Sequence, residues 1–536
     1  MQARLAMLLL LAASPVAAQA PAAGFRLLGP YLSGDTLLVD TNGTVVHTWS
    51  ASFAAAMGMY LDRDGSLVRP ILTEFGAPAG AGGGVQRMAF DGTLLWDYRD
   101  SRPDLLPHHD IALLENGNVL MVAWQDVPAA EAIAQGRDPT LLVDPFFRPE
   151  AVVEVRPDGP TSGTIVWEWN LMDHVIQDFD PTKANFGVVS DHPELMDINF
   201  PQELAQGGEF NHVNGMDYDP VHDWIVLSAP VQNEVWVIDH STTTAEAAGH
   251  TGGRWGKGGD LLYRWGNPAA YRAGTTADQQ LFFQHNPRFI PPGYPGAGNL
   301  TVFNNRTLAS STVVELVLPL DVTGQFVLDP SGSYGPLVPV WSFTEPGFQS
   351  PIMSSAERLP NGNTLICSST QRNVFEVSPA GQRVWDYTVS APGSLPFQAH
   401  YVDRSMWVDT RTHSLAGGGI VTLDFVGGSD QAGNLYLLGG SASGTSPGLP
   451  LQGQVLPLNL DPYLVFTLSN PSVAPLGNSG GTLDANGRAT ATFSIPAGVY
   501  PPSWVGFELN HAFAVFDPTA GQISKTSNAE PVVFVQ

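Results

Sequence analysis

A single cysteine, Cys367, stands in 536 residues, so no disulfide can form within the chain whatever compartment it occupies. In the apolar run NTLICSST it reads as a packed thiol rather than a reactive one. Basic residues are scarce too: 24 Lys and Arg face 51 Asp and Glu, a formal net charge of −27. That balance argues against nucleic acid and anionic membrane surfaces as partners, and any anionic ligand must meet a local cluster of donors. No long hydrophobic run follows the first twenty residues, which argues against a membrane span.

What is present is a leader, then repetition. MQARLAMLLLLAASPVAAQA carries one arginine, a short apolar run and the small-residue site Ala18-Gln19-Ala20. It reads as a secretory signal peptide over 1–20, implying a secreted or periplasmic protein. Gly and Pro are abundant, at 56 and 44 residues, helical periodicity is rare, and short apolar runs alternate with turn residues; the chain is all-β. One unit recurs six times, a turn followed by a strand with aromatics at alternate positions: NGTVVHTW, DGTLLWDY, SGTIVWEW, GDLLYRW, PLVPVWSF and GQRVWDY. A strand–turn–strand pair such as HDIALLENGNVLMV or SSAERLPNGNTLICS completes each unit. Four short strands cannot bury both faces of a sheet unless the sheets stack around an axis, so the pattern predicts a six-bladed β-propeller over 21–414. Two insertions, at 127–150 and 170–203, are placed over one mouth of its channel. From 415 to 536 the aromatic unit is absent and the texture is rich in Gly, Ser, Thr and Leu; this reads as a C-terminal β-sandwich-like module, a candidate for surface or matrix contact.

The turn of each strand pair serves as a ruler. Counting back seven residues from its first residue reaches His109, His212 and His285 in three repeats, and Met57 and Ser354 in two others. Equivalent positions of a propeller lie at equal radius, so the three histidines are expected to converge on the channel. Asn214, two residues from His212, is expected on the same face of one strand, whereas His108 and His109, as neighbours, should face apart. His400, in FQAHYV of the last repeat, is a further candidate with no turn to fix its register. His47 is assigned to packing; His174, His192, His222, His240, His250, His413 and His511 are read as solvated loop or end residues. Converging imidazoles suggest either a metal site or nucleophilic and acid–base chemistry on an anionic group. No HxH or HExxH pair is present, which makes metal the second reading.

The segments WEWNLMDHVIQDFDP, FNHVNGMDYDPVHDWIVLS, LLYRWGNPAAY, QHNPRFIPPG and NLTVFNNR resemble the bacterial arylsulfate sulfotransferases, which act without PAPS on a six-bladed propeller. The likeness spans most of 30–405. It implies a sulfuryl transfer from a phenolic sulfate donor to a phenolic acceptor through a sulfohistidine, with no cofactor and no catalytic metal. Carried over by motif, His285 is the nucleophile, His212 and Asn214 form the HxN pair, and His109 matches the earlier histidine, with His108 beside it. One departure stands out: where the family has an arginine after the HxN strand, this chain has Pro230. Arg306 and Arg372 are the cations expected to replace it in binding substrate, together with His108 and His400. Two other readings remain beside the enzyme: a non-catalytic propeller that binds a ligand or surface, and a His-ligated metalloenzyme. A quinone-cofactor dehydrogenase is disfavoured, because the chain has no vicinal cysteine pair.

Overall fold

Each aromatic unit becomes the outermost strand of a four-stranded antiparallel sheet. The computed structural model describes residues 19–73, 80–142, 144–201, 208–307, 310–390 and 395–536; residues 1–18 of the expected leader, 143 of the first insertion and 202–203 of the second lie outside them. It is all-β, 44% strand and 8% helix.

Six four-stranded sheets follow one another along the chain. From first to fourth strand, sheet II runs Tyr60–Leu61, Leu67–Leu72, Gly83–Met88, Leu94–Arg99, and sheet III Leu105–Leu113, Val119–Gln125, Glu150–Gly159, Ser162–Asn170. Sheet IV comprises Gly215–Asp219, Trp224–Ala229, Glu234–Asp239 and Tyr263–Trp265; sheet V comprises His285–Phe289, Leu300–Thr307, Ser310–Leu316 and Trp341–Phe343. Sheet VI holds Ser355–Arg358, Thr364–Ser368, Asn373–Val377 and Arg383–Thr388. Sheet I is composite: its first strand is Pro396–Val402, from the far end of the array, beside Phe25–Pro30, Asp35–Val39 and Val45–Ser50, with Leu27 opposite His400. Pairing the two ends covers the edge that Phe25–Pro30 would otherwise leave open.

The recurring tryptophans explain why the aromatic unit repeats. Each indole packs at the outer rim and its N–H donates to the following sheet. Trp49 reaches Ala89 O at 3.0 Å, Trp96 reaches Ser162 O at 2.9 Å, and Trp167 reaches Thr242 Oγ1 at 3.1 Å. Trp265 reaches Pro336 O at 2.9 Å, Trp341 reaches Pro379 O at 2.9 Å, and Trp385 of sheet VI returns to Thr41 O of sheet I at 2.7 Å. A buried indole needs an acceptor as well as an apolar wall, and the passage from strand three to strand four supplies the acceptor each time, from the loop or, at Ser162, from the first residue of strand four. Ionic links act between sheets too: Arg26 of sheet I and Glu376 of sheet VI, both fully buried, lie 2.5 Å apart.

The two insertions pack on one another. Asp138 N donates to Asn199 Oδ1 at 2.7 Å, Asn199 Nδ2 to Gly136 O at 2.9 Å, and Phe210 N to Arg148 O at 2.9 Å. The second insertion thereby returns to Glu209 and delivers the chain to His212.

The tail forms a four-stranded and a six-stranded sheet, beside a two-stranded one of Leu449–Leu451 and Gln454–Leu456, with its own core, in which Phe425 stacks on Phe513 at 4.6 Å. Its first strands are Met406–Val408 and Thr412–Ser414, which pair with Gly419–Val426 and Glu530–Val535. The crossover therefore lies between Val402 and Met406, ahead of the 414/415 boundary drawn from composition. Trp407 stacks on Phe90 at 4.4 Å and donates to Gly65 O at 3.1 Å, seating the tail on sheet II. No helix among the described residues is long and apolar enough to cross a membrane.

Candidate active site

Three of the ruler positions adopt the left-handed conformation, one within its strand and two just ahead of theirs. His109, His212 and Ser354 have φ of 50°, 53° and 87°, and Asn286, beside His285, has 49°. A non-glycine residue in the left-handed region is strained, and its recurrence at equivalent places marks a built feature. In sheet III the register slips between Pro107 and Ile111, so His108, His109 and Asp110 occupy a bulge. This corrects the expectation that the two histidines face apart. Their Nδ1 atoms lie 2.8 Å from each other. Gly80 makes room: a side chain there would collide with the His109 ring.

Both histidines are buried. His108 stacks on Trp124 at 4.0 Å and places Nε2 2.8 Å from Glu150 Oε2, while His109 meets His212 with ring centroids 4.7 Å apart. Burial pushes both imidazoles well below their usual range, and pushes Glu150 well up although Val213 N–H donates to it. His212 Nδ1 is bonded to Glu209. Asn214 does not lie on a shared strand with His212; residues 211–214 precede the strand, and Asn214 Nδ2 donates to Gln284 O at 2.9 Å. It thereby holds the backbone immediately before His285.

His285 is the most tightly specified of the three. Asn305 Nδ2 donates to Ser350 O at 2.7 Å and to Met353 O at 2.8 Å, which turns Asn305 Oδ1 toward His285 Nδ1 at 2.8 Å. The amide oxygen can only accept, so the His285 proton sits on Nδ1 and the lone pair on Nε2. That lone pair accepts Met353 N–H at 3.1 Å. Burial lowers the imidazole to about 3, opposed by the Asn305 bond and reinforced by His212. The ring is therefore neutral across ordinary pH.

Arg306 lies across a cavity of about 350 Å3 from Pro230, lined also by Val231, Asn233, Phe282 and Phe283. Its guanidinium sits 3.6 Å over the Phe283 ring, and Nε donates to Pro351 O at 2.9 Å. Phe283 in turn meets the His285 ring edge-on at 5.9 Å. Arg372 stands in the turn between Thr364–Ser368 and Asn373–Val377, on sheet VI, which carries none of the three histidines. His400 is placed in a different layer. Its nitrogens bond Glu357 at 3.1 Å and Gln398 at 3.0 Å, within a buried polar group containing Tyr60, Asp110, Asp217 and Arg288. Phe397, which approaches His285 at 6.4 Å, precedes His400 by three residues, roughly 10 Å along an extended strand.

Sequence reasoning missed Asn305, Glu150, Glu209, Trp124 and Phe283. Asn305 was legible only as part of FNNR; the others have no periodic signature. Among the described residues, the ligand atoms of His109, His212 and His285 do not gather closely enough to share one ion. Several histidines read as solvated are buried instead: His174, His413 and His511.

Residues 32–388 match the family model described as Arylsulfotransferase (ASST). No curated protein matches the chain. Solved structures with a related, propeller-like fold include a protein of unknown function from Bacteroides caccae, at 11% identity over 70% of this chain and 98% of that one, with a TM-score of 0.39. A catalytically inactive virginiamycin B lyase from Staphylococcus aureus matches at 9%, 75%, 92% and 0.34, and a putative 6-phosphogluconolactonase from Bacteroides uniformis at 12%, 71%, 99% and 0.34. Such scores carry no argument about chemistry.

Proposed function

The chain belongs to the arylsulfotransferase family, which supports aryl sulfotransferase activity in general, and from that premise we propose a six-bladed propeller enzyme that passes a sulfuryl group through His285. The observation that carries the reading is the locked tautomer: Asn305 holds the proton on Nδ1 and leaves the lone pair on Nε2, which becomes the nucleophile once the Met353 N–H gives way to substrate. In the first half-reaction Nε2 attacks the sulfur of an aryl sulfate, the S–O bond to the aryl oxygen breaks, and the phenol leaves. The ring gains positive charge as the N–S bond forms, and the Asn305 carbonyl oxygen facing Nδ1–H stabilises it. In the second, a phenol oxygen attacks the same sulfur and Nε2 departs. His212, with Glu209 behind it and His109 beside it, is the group that gives the leaving oxygen its proton and later takes one from the acceptor.

Arg306 supplies the cation that Pro230 removes. It reaches the shared cavity from the neighbouring sheet and presents a guanidinium, the side chain best shaped for two oxygens of a sulfate. Phe282 and Phe283 offer the aryl ring an apolar wall. The leader over 1–20 supports a secreted or periplasmic protein, and the tail is assigned to surface or matrix contact. A binding propeller without turnover is the second reading, favoured by Pro230 itself.

Intact mass after brief mixing with a chromogenic aryl sulfate, without acceptor, tests this. One added sulfuryl group mapping to His285 supports the two-step transfer; no adduct and no released phenol across several donors favours the binding reading.

A further inference from the structure

Away from the central histidines, at the outer edge of sheets III and IV, three side chains converge that the transfer chemistry does not use. His174 ends a short 3-10 segment, Leu171–His174, that opens the second insertion; His250 and Asp260 lie in the loop joining Glu234–Asp239 to Tyr263–Trp265. His174 Nδ1 and His250 Nδ1 are each 2.8 Å from the same oxygen, Asp260 Oδ1. Among the described residues these three form a group of ligand atoms lying within 4.8 Å of one another.

The proton inventory is the informative part. His174 Nε2 lies 2.8 Å from Ala247 O. A carbonyl only accepts, so Nε2 carries the hydrogen, and in the neutral ring Nδ1 is a bare lone pair. The Asp260 oxygen 2.8 Å away can be met in two ways: by a second proton, which makes the ring an imidazolium, or, with the two atoms about 0.5 Å farther apart, by a metal ion held between them. A metal-bound histidine characteristically donates its second N–H to a carbonyl or carboxylate, and its ring is fixed by outer neighbours. Both conditions hold here. Trp169 stacks on His174 with 4° between planes, and its indole donates to Gly259 O at 2.7 Å. Gly259 is required by the fit, since a Cβ there would lie 2.6 Å from His174 Nε2. The two imidazole centroids are 5.8 Å apart with planes at 87°; two imidazoles bound to one ion at about 2.0–2.1 Å put their centroids about 5–6 Å apart. Closing a tetrahedral site asks only that the N–O separations open to roughly 3.3 Å. His250 is largely exposed, giving an ion a way in.

We propose that His174, His250 and Asp260 form a structural site for a borderline divalent transition ion, zinc foremost, with water completing four-coordination. The ion ties the start of the second insertion to the sheet IV loop, and so fixes the far end of the segment that delivers Glu209 and His212. It is remote from sulfuryl transfer and stands whether or not that reaction is the right one.

The test uses full-length protein without a polyhistidine tag, stripped with EDTA, dialysed, and titrated with zinc chloride alone. The expected result is about one zinc per chain with Kd below about 1 μM, and a rise of Tm by a few degrees at a hundredfold excess over Kd. Cobalt in its place should give the visible bands of four-coordination. His250→Ala, at an exposed position, should weaken binding at least a hundredfold with an unchanged apo Tm, whereas His192→Ala, another exposed histidine, should leave it unchanged. Equal zinc affinity in His250→Ala, or a wild-type Kd above about 100 μM, overturns the proposal and leaves a hydrogen-bonded imidazolium–carboxylate group.

Discussion

Replacing Asn305 by alanine isolates the step on which the chemistry rests. In the native site one side-chain amide does three things: it accepts from His285 Nδ1 and donates to the carbonyls of Ser350 and Met353. Without it, the buried Nδ1–H loses its side-chain acceptor at a cost of about 1–3 kcal/mol. The imidazole escapes by moving its proton to Nε2, where it meets the Met353 N–H and abolishes the nucleophilic lone pair. Divided by 1.4 kcal/mol per decade, that cost is about a 5- to 150-fold fall in the rate of phenol release in the first half-reaction. The freed carbonyls of Ser350 and Met353 add about 1–3 kcal/mol of lost stability. Single-turnover phenol release under stopped flow, with urea unfolding in parallel, measures both. Asn305→Asp should keep the acceptor while losing the donors, so its tautomer is right and its loop is not; it should destabilise while retaining more of the burst than Asn305→Ala. A burst of native rate in Asn305→Ala would refute the tautomer argument.

Four further outcomes are expected. His285→Leu should eliminate both the sulfuryl adduct and turnover while near-UV circular dichroism stays native; an adduct of unchanged yield would move the nucleophile elsewhere. Arg306→Leu should lower kcat/KM for the sulfate donor about 10- to 100-fold, the worth of one or two charge-assisted bonds, with Arg306→Lys intermediate; equal values for all three would remove Arg306 from substrate binding. The pH dependence of stability has two limbs. His285 has a folded value of about 3, below the unfolded 6.5, so the unfolded chain binds more protons and stability falls by up to about 1.4 kcal/mol per pH unit from 6.5 down toward 3. His240 runs the other way: burial opposes its charge, but Asp223 and Glu154 raise it to about 9, so its contribution is whole below 6.5 and lost as pH climbs to 9. His240→Gln should flatten the alkaline limb alone in a pH series of urea midpoints. Trp265→Phe, which deletes one rim hydrogen bond to Pro336 O, should cost about 0.5–1.5 kcal/mol without altering turnover.

Much of the architecture was written along the chain because it repeats. A strand with aromatics at alternate positions, met six times, specifies an outer strand that must lean on the next sheet, and the rim indoles do so around the whole ring. The turn ruler has a related basis: the same number of residues back from equivalent turns reaches similar places in neighbouring sheets, and the His109 and His212 ring centroids lie 4.7 Å apart, with His285 near enough to act electrostatically on His109. The resemblance to a family added roles that spacing alone left open.

Side-chain direction was another matter. Alternation along a strand predicted that His108 and His109 part and that His212 and Asn214 point together, and both failed because the chain enters each sheet through a left-handed residue or a bulge, where period two does not hold. The polarity of composition misjudged His174, His413 and His511, buried by contacts from segments distant in sequence. Repeats, turn chemistry, net charge and the absence of disulfides are local or additive properties, and the sequence by itself determined them. Which strand closes sheet I, which amide fixes the His285 proton, how Arg306 comes to face Pro230, and how His174 meets Asp260 across 86 residues depend on distances between segments that no local pattern encodes; only the tertiary structure decided those.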